Sequence, residues 1–212
     1  MRKTLLILIA LCGWFALISQ FYLIMQNRVA SIPETVVRYF SFFTILTNIM
    51  VAVYCSMLVV DPLWRMREFL LKTKTVTAIA VYISIVGIVY NVILRSLWNP
   101  QGLQRVVDEL LHTVIPILFV AFWIFFVPRF RMKGNSVLPW LLYPLIYLIL
   151  ILIRGSFSAF YPYPFIDVDK IGYNKVLINS TGMLAAFLVV SIIFLLMNRF
   201  KSFKPLSVSN VH

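Results

Sequence analysis

The chain has 212 residues, of which 62% are hydrophobic and 12% charged, with a net charge of +12. A soluble domain is typically about half apolar and about a quarter charged. A water-soluble fold could not hide this much apolar surface, so lipid must be part of the solvent, and a disordered chain is excluded on the same grounds. The basic residues stand in short clusters between apolar runs, which reads as loops that orient the chain and meet anionic headgroups. No basic groove or base-stacking module is legible, so nucleic acid is not an expected partner.

A membrane-crossing helix needs about 20 apolar residues. Six such runs follow one another: Thr4–Met25, Tyr39–Val60, Thr75–Leu94, Leu110–Val127, Val137–Ile153 and Val176–Met197. The first follows Arg2 and Lys3 as a signal peptide would, but it continues to Met25 without a clear small-residue cleavage site and reads as a retained helix. The fifth is the shortest and contains Pro144, which predicts a kink. Cys12 and Cys55 both fall inside spans and read as small packing residues rather than as a disulfide framework. The connectors Gln26–Arg38, Asp61–Lys74, Arg95–Glu109, Pro128–Ser136 and Arg154–Lys175 are too short for a separate soluble domain. The expected fold is all-α: one polytopic domain over residues 1–212, a bundle of six transmembrane helices.

Charge sets the expected orientation. With the N-terminus inside, Arg2, Lys3, Arg65, Arg67, Lys72, Lys74, Arg129, Arg131, Lys133, Arg199, Lys201 and Lys204 lie inside. Arg28, Arg38, Arg95, Arg105, Arg154, Lys170 and Lys175 lie outside, so 12 basic residues face 7. This asymmetry places both termini in the cytoplasm. Trp64, Trp98 and Trp140 flank spans, as interfacial tryptophans do.

Polar side chains inside lipid are costly and face the bundle or a cavity. On this topology they collect in the outer layer. Thr44 is six residues beyond Arg38, roughly 9 Å deep at about 1.5 Å per residue, and His112 lies just below the start of the fourth span. Asn48 shares a helix face with Thr44, and Thr47 is nearby. Asn91 and Arg95 end the third span. Asp108 and Glu109 precede His112 by four and three residues, within reach of the imidazole if the helix extends that far. Arg154 and Ser156 end the fifth span, and Asn174, Asn179, Ser180 and Thr181 open the sixth. The pattern predicts a polar pocket open to the outer leaflet or the outer aqueous face.

A threonine and a histidine at one depth can do nucleophilic chemistry. The hydroxyl needs a base to take its proton, a neutral imidazole is the usual base, and a carboxylate can orient it. Asparagine amides, arginine or backbone donors can stabilise an oxyanion. Alternatively, the threonine bonds its own backbone or a neighbouring helix and the histidine is an interfacial residue tied to a neighbour. No serine elbow, zinc spacing, phosphate loop or dinucleotide fingerprint is present. His212 is terminal, so the two histidines build no metal site, and no cofactor is expected.

Three segments, Arg38–Asn48 (RYFSFFTILTN), Asp108–Pro116 (DELLHTVIP) and Tyr161–Asp167 (YPYPFID), resemble the bacterial "Pr-six-Pr" branch of six-span membrane proteins, which is similar to the androgen-induced-gene family. The resemblance runs from about Thr4 to Arg199. Animal members of that family are threonine hydrolases that cleave fatty acid esters of hydroxy fatty acids with an essential threonine and histidine. The resemblance places the threonine on Thr44, with Thr47 close enough to be confused with it, and the histidine on His112. It implies a bacterial inner membrane. Asp108 as orienting acid and Asn48 as oxyanion or scaffold donor are readings added to it, with Asn91 and Arg95 as further supporting groups. The loop Tyr161–Asp167 departs from the animal members. It reads as a rigid interfacial cap or as a lid over the pocket.

Two functions of different kind are therefore expected to compete. One is a membrane-embedded threonine hydrolase acting on a lipid ester. The other is a non-catalytic lipid-binding or partner subunit in which the outer polar layer only ties helices together. Against a third reading, a small transporter, the spans show no paired broken helices in corresponding halves and no acidic residue near mid-membrane.

Overall fold

Within a bilayer the backbone must satisfy its own hydrogen bonds, and an all-helical chain does so segment by segment. The computed structural model describes residues 1–60, 70, 72–128, 132 and 134–200. Among these, six helical stretches are long and apolar enough to cross a membrane: Arg2–Gln26, Phe43–Val60, Thr73–Leu97, Gly102–Phe126, Gly134–Ser158 and Val168–Arg199. Trp64, His212 and the basic residues Arg65, Arg67, Arg129, Arg131, Lys133, Lys201 and Lys204 lie outside the described residues.

Helix α1 is Arg2–Gln26. Helix α2, Ile32–Phe40, is a short amphipathic element with a proline in its first turn. Helix α3 is Phe43–Val60, and α4 is Thr73–Val89. A π-helical turn, Tyr90–Leu94, and a 3₁₀ turn, Arg95–Leu97, extend α4. Helix α5, Gly102–Glu109, passes through a second π-helical turn, Leu110–Val114, into α6, Ile115–Phe126. Helix α7 is Leu138–Ser158 and runs on through Pro144. Helix α8, Val168–Phe200, is broken near its start at Gly172, whose φ of 76° is a left-handed conformation open to glycine.

Two boundaries differ from the sequence expectation in a way that matters. The second crossing starts at Phe43 rather than Tyr39, because α2 is a separate helix and the chain breaks at Ser41–Phe42. Thr44 is therefore the second residue of α3, not a residue one and a half turns inside a continuous helix. The fourth crossing starts at Gly102 rather than Leu110. Arg105, Asp108 and Glu109 look like a loop by charge, yet they ride on a helix where Asp108 and Glu109 find partners.

Helix α1 packs against α3 and α6, α4 against α3, α6 and α8, and α7 against α8. Small residues allow the closest approach, as expected where lipid supplies no hydrophobic drive between helices. A Cβ on Gly13 would sit 3.0 Å from Cβ of Ala52. Polar pairs lock the interior: Trp123 Nε1 donates to Thr77 Oγ1 at 2.9 Å, and Tyr82 donates to the Trp140 carbonyl at 2.9 Å. Trp98 is exposed, as an interfacial tryptophan should be, whereas Trp140, in the first turn of α7, is buried against the bundle.

Candidate functional site

The two π-helical turns pack side by side. Such widened turns are rare and concentrate at functional sites. Tyr90 opens the first and His112 lies within the second, and their rings stack with centroids 4.0 Å apart and planes 13° from parallel. The close approach depends on Gly87, where a Cβ would lie 3.2 Å from the His112 carbonyl oxygen. The Asn91 amide donates to that same carbonyl at 3.3 Å and to Gly87 O at 2.9 Å. Arg95 donates to Asn91 Oδ1 at 2.6 Å and pairs with Glu109. Asn91 and Arg95 thus brace the two turns from outside.

Of the two carboxylates near His112, Asp108 is the one that reaches it. His112 Nδ1 lies 2.9 Å from the Asp108 main-chain oxygen and 3.3 Å from Oδ1. Both neighbours are acceptors, so Nδ1 carries the proton and Nε2 is left with its lone pair. Asp108 is buried, and Tyr90 donates to its other oxygen, Oδ2. A fixed tautomer, a stacked ring and an anchored carboxylate together hold the imidazole in the form a base requires.

Thr44 stands at the start of α3, where first-turn N–H groups have no helical acceptor. Two tyrosine hydroxyls take their place. Phe43 N donates to Tyr147 at 3.2 Å, and Thr44 N donates to Tyr163 at 3.3 Å. The Thr44 hydroxyl lies 3.4 Å from that of Tyr163. One turn on, the fully buried Asn48 donates to Thr44 O at 2.9 Å and to Leu111 O at 3.2 Å. Two carbonyl acceptors fix the orientation of its amide and use both of its hydrogens. Asn48 is therefore a brace between the threonine helix and the histidine turn, not an oxyanion donor.

Thr44, Tyr90, His112 and Tyr163 line two adjoining cavities. The first is narrow and apolar, with about 670 Å³ between its walls counting the open mouth, and runs past Val86, Val89, Leu148, Met183 and Phe187. The second reaches Gln20, Trp98, Gln104 and Asp108. Thr47, although fully buried, lines neither. The expected polar pocket is thus corrected: the space is mainly apolar, because Asn48, Asn91, Arg95 and Arg154 spend their polarity between helices. What sequence reasoning missed are Tyr90, Tyr147 and Tyr163. The available signal was a phenol in an apolar run, since a buried tyrosine hydroxyl needs a partner.

The Tyr161–Asp167 loop closes this end of the bundle. Tyr163 stacks on Phe165 and meets Phe42 edge-on. Asn179 holds the loop through the Phe165 carbonyl at 2.9 Å. Tyr161 packs onto Gly155, where any Cβ would collide with its ring. Beside the loop, Arg38 and Arg154 both bond Glu34 Oε1, at 2.8 and 2.6 Å, and both lie over the Phe160 ring. The Arg38 hydrogen bond, with help from Arg154, holds the Glu34 carboxyl below its usual range against the opposing effect of burial.

Among the described residues no group of three or more His, Cys, Asp or Glu is placed to hold a metal. Comparison with models of protein families, curated proteins and solved structures finds no match.

Proposed function

We propose that the chain is a multi-pass membrane hydrolase of lipid esters, with Thr44 as nucleophile and His112 as general base. The observation that carries the reading is one cavity wall that holds both the Thr44 hydroxyl and an imidazole whose Nδ1 is pinned by Asp108. The apolar cleft suits an acyl chain, and the more polar second cavity gives water a route to the same residues.

Thr44 Oγ1 attacks the ester carbonyl carbon while its proton passes to His112 Nε2. The tetrahedral intermediate collapses, the ester C–O bond breaks, and the leaving alkoxide takes that proton. Water then attacks the acyl-threonine, giving its proton to Nε2, and the fatty acid departs as Thr44 recovers its hydrogen. Asp108 stabilises the transient imidazolium. The resemblance to the androgen-induced-gene family accords with these roles. With both termini cytoplasmic, the site faces the outer side of a cell membrane.

One observation favours the second reading, a non-catalytic lipid-binding or partner subunit: the neighbour of the Thr44 hydroxyl is Tyr163, not the imidazole. A fluorophosphonate probe separates the two. The wild-type protein and Thr47→Ala should be labelled, whereas Thr44→Ala and His112→Ala should fold, insert and stay unlabelled. Equal labelling of all four, or of none, rejects the hydrolase.

A further inference from the structure

An ester hydrolase must bind negative charge where the carbonyl oxygen sits in the tetrahedral state, and the donors for it must be free. Around Thr44 most are already used. Both amide hydrogens of Asn48 are on carbonyls. Tyr147 donates its proton to Ser41 O at 2.8 Å. Tyr163 differs. Its oxygen accepts from Thr44 N at 3.3 Å, and its hydroxyl meets that of Thr44 at 3.4 Å, where either can donate, so no main-chain acceptor holds its proton.

Resting on the hydrolase reading, we propose that Tyr163 is a further catalytic residue, whose hydroxyl donates to the oxyanion of the ester.

Four features support this. The hydroxyl stands 3.4 Å from the nucleophile, so a carbonyl carbon attacked by Thr44 carries its oxygen within reach of the phenol. Thr44 N, at the positive end of α3, donates to the same phenol oxygen and so makes its O–H a stronger donor. The Tyr147 hydroxyl is satisfied without the Tyr163 proton, since it accepts from Phe43 N and donates to Ser41 O. The ring is held by Phe165 and Phe42, so the hydroxyl is aimed before substrate arrives. Burial also raises the Tyr163 phenol above its ordinary range, which keeps it a proton donor at neutral pH.

The test is hydrolysis of a 4-nitrophenyl ester of a medium-chain fatty acid by the full-length chain in detergent micelles, with fluorophosphonate labelling in parallel. Tyr163→Phe should lower kcat about 100-fold with little change in KM, and slow labelling by a similar factor. Tyr82→Phe removes a comparable buried phenol bond, to Trp140 O, at a residue that lines neither cavity, and should keep kcat within about threefold. A purely structural Tyr163 would instead lower thermal stability in both variants alike and leave kcat per folded molecule unchanged, and that result overturns the proposal. If Tyr163→Phe does not fold, 3-fluorotyrosine at position 163 keeps the ring and sharpens the donor; an unchanged rate then overturns it as well. Hydrolysis that dies in Thr44→Ala yet persists in Tyr163→Phe removes the oxyanion role alone. A wild-type chain that neither hydrolyses nor labels removes the hydrolase reading and this residue's role with it.

Discussion

Two threonines in one bundle meet opposite fates. Thr77, in the second turn of α4, is fully buried; it donates to Thr73 O at 2.6 Å and accepts from the Trp123 indole at 2.9 Å. Thr44, at the cleft end, is 8% exposed and has one long hydroxyl contact, to another hydroxyl. The first is a satisfied tie between helices, of the kind that dominates polar groups in membrane interiors. The second sits on the wall of the cavities that His112 also lines, its hydroxyl held only by that long contact. On the proposed function the difference separates a structural tie from a nucleophile without reference to residue type, since both are threonines in apolar helices.

The sharpest way to break that contrast is to remove each hydroxyl. Thr44→Ala should reduce ester hydrolysis by at least about 1,000-fold while leaving the unfolding temperature in micelles close to wild type. Activity surviving within tenfold would make Thr44 another tie. Next in size, Asp108→Asn keeps the main-chain acceptor at 2.9 Å from Nδ1, so the tautomer persists, but the negative charge that balances an imidazolium is lost. A fall of about 100-fold in kcat is expected, measured alongside His112→Ala as the floor. A smaller effect, on stability alone, is expected from Thr77→Val: about 1 kcal/mol lost with the interhelix bond, seen as a lower unfolding temperature with unchanged kcat per folded molecule.

The six crossings were legible because apolar length is a property of composition, and helices are the answer to lipid whatever the packing. Thr44 and His112 were reached through depth and resemblance, and the structure does bring them to one wall. The route was partly wrong: the depth argument assumed a continuous helix from Arg38, and the chain breaks at Ser41–Phe42. Both residues still share a cavity wall, with Asn48 bridging Thr44 O and Leu111 O, a link between positions 63 apart in sequence. No local pattern announces a π-helical turn, so the stacking of Tyr90 on His112 was invisible. The polar pocket failed for a related reason. A one-dimensional reading locates polar residues in depth but does not tell which face partners and which face space, and Asn91, Arg95 and Arg154 all face partners.

The smallest expected effect concerns the edge of the same end. Glu34 joins α2 to α7 by bonding Arg38 and Arg154, and its carboxyl lies below the usual range because the Arg38 hydrogen bond, aided by Arg154, favours the charged form. A depressed folded-state pKa contributes stability above the unfolded value, near pH 4.3 for a glutamate, and that stability fades as pH falls through the folded value. The carboxylate is about a third exposed, with a side-chain accessibility of 30%, so screening limits its worth to below about 1 kcal/mol. Glu34→Gln should therefore lower the unfolding temperature slightly at pH 7 and make no difference at the most acidic pH the micelles tolerate, since the wild-type side chain is then neutral too. The same variant should leave the Thr44 labelling rate at neutral pH almost unchanged, because neither Arg38 nor Arg154 lines the cavities that Thr44 shares with His112. A large loss of labelling would instead mean that the α2–α7 tie holds the start of α3 in place, and would move the boundary between tie and chemistry out to the rim of the bundle.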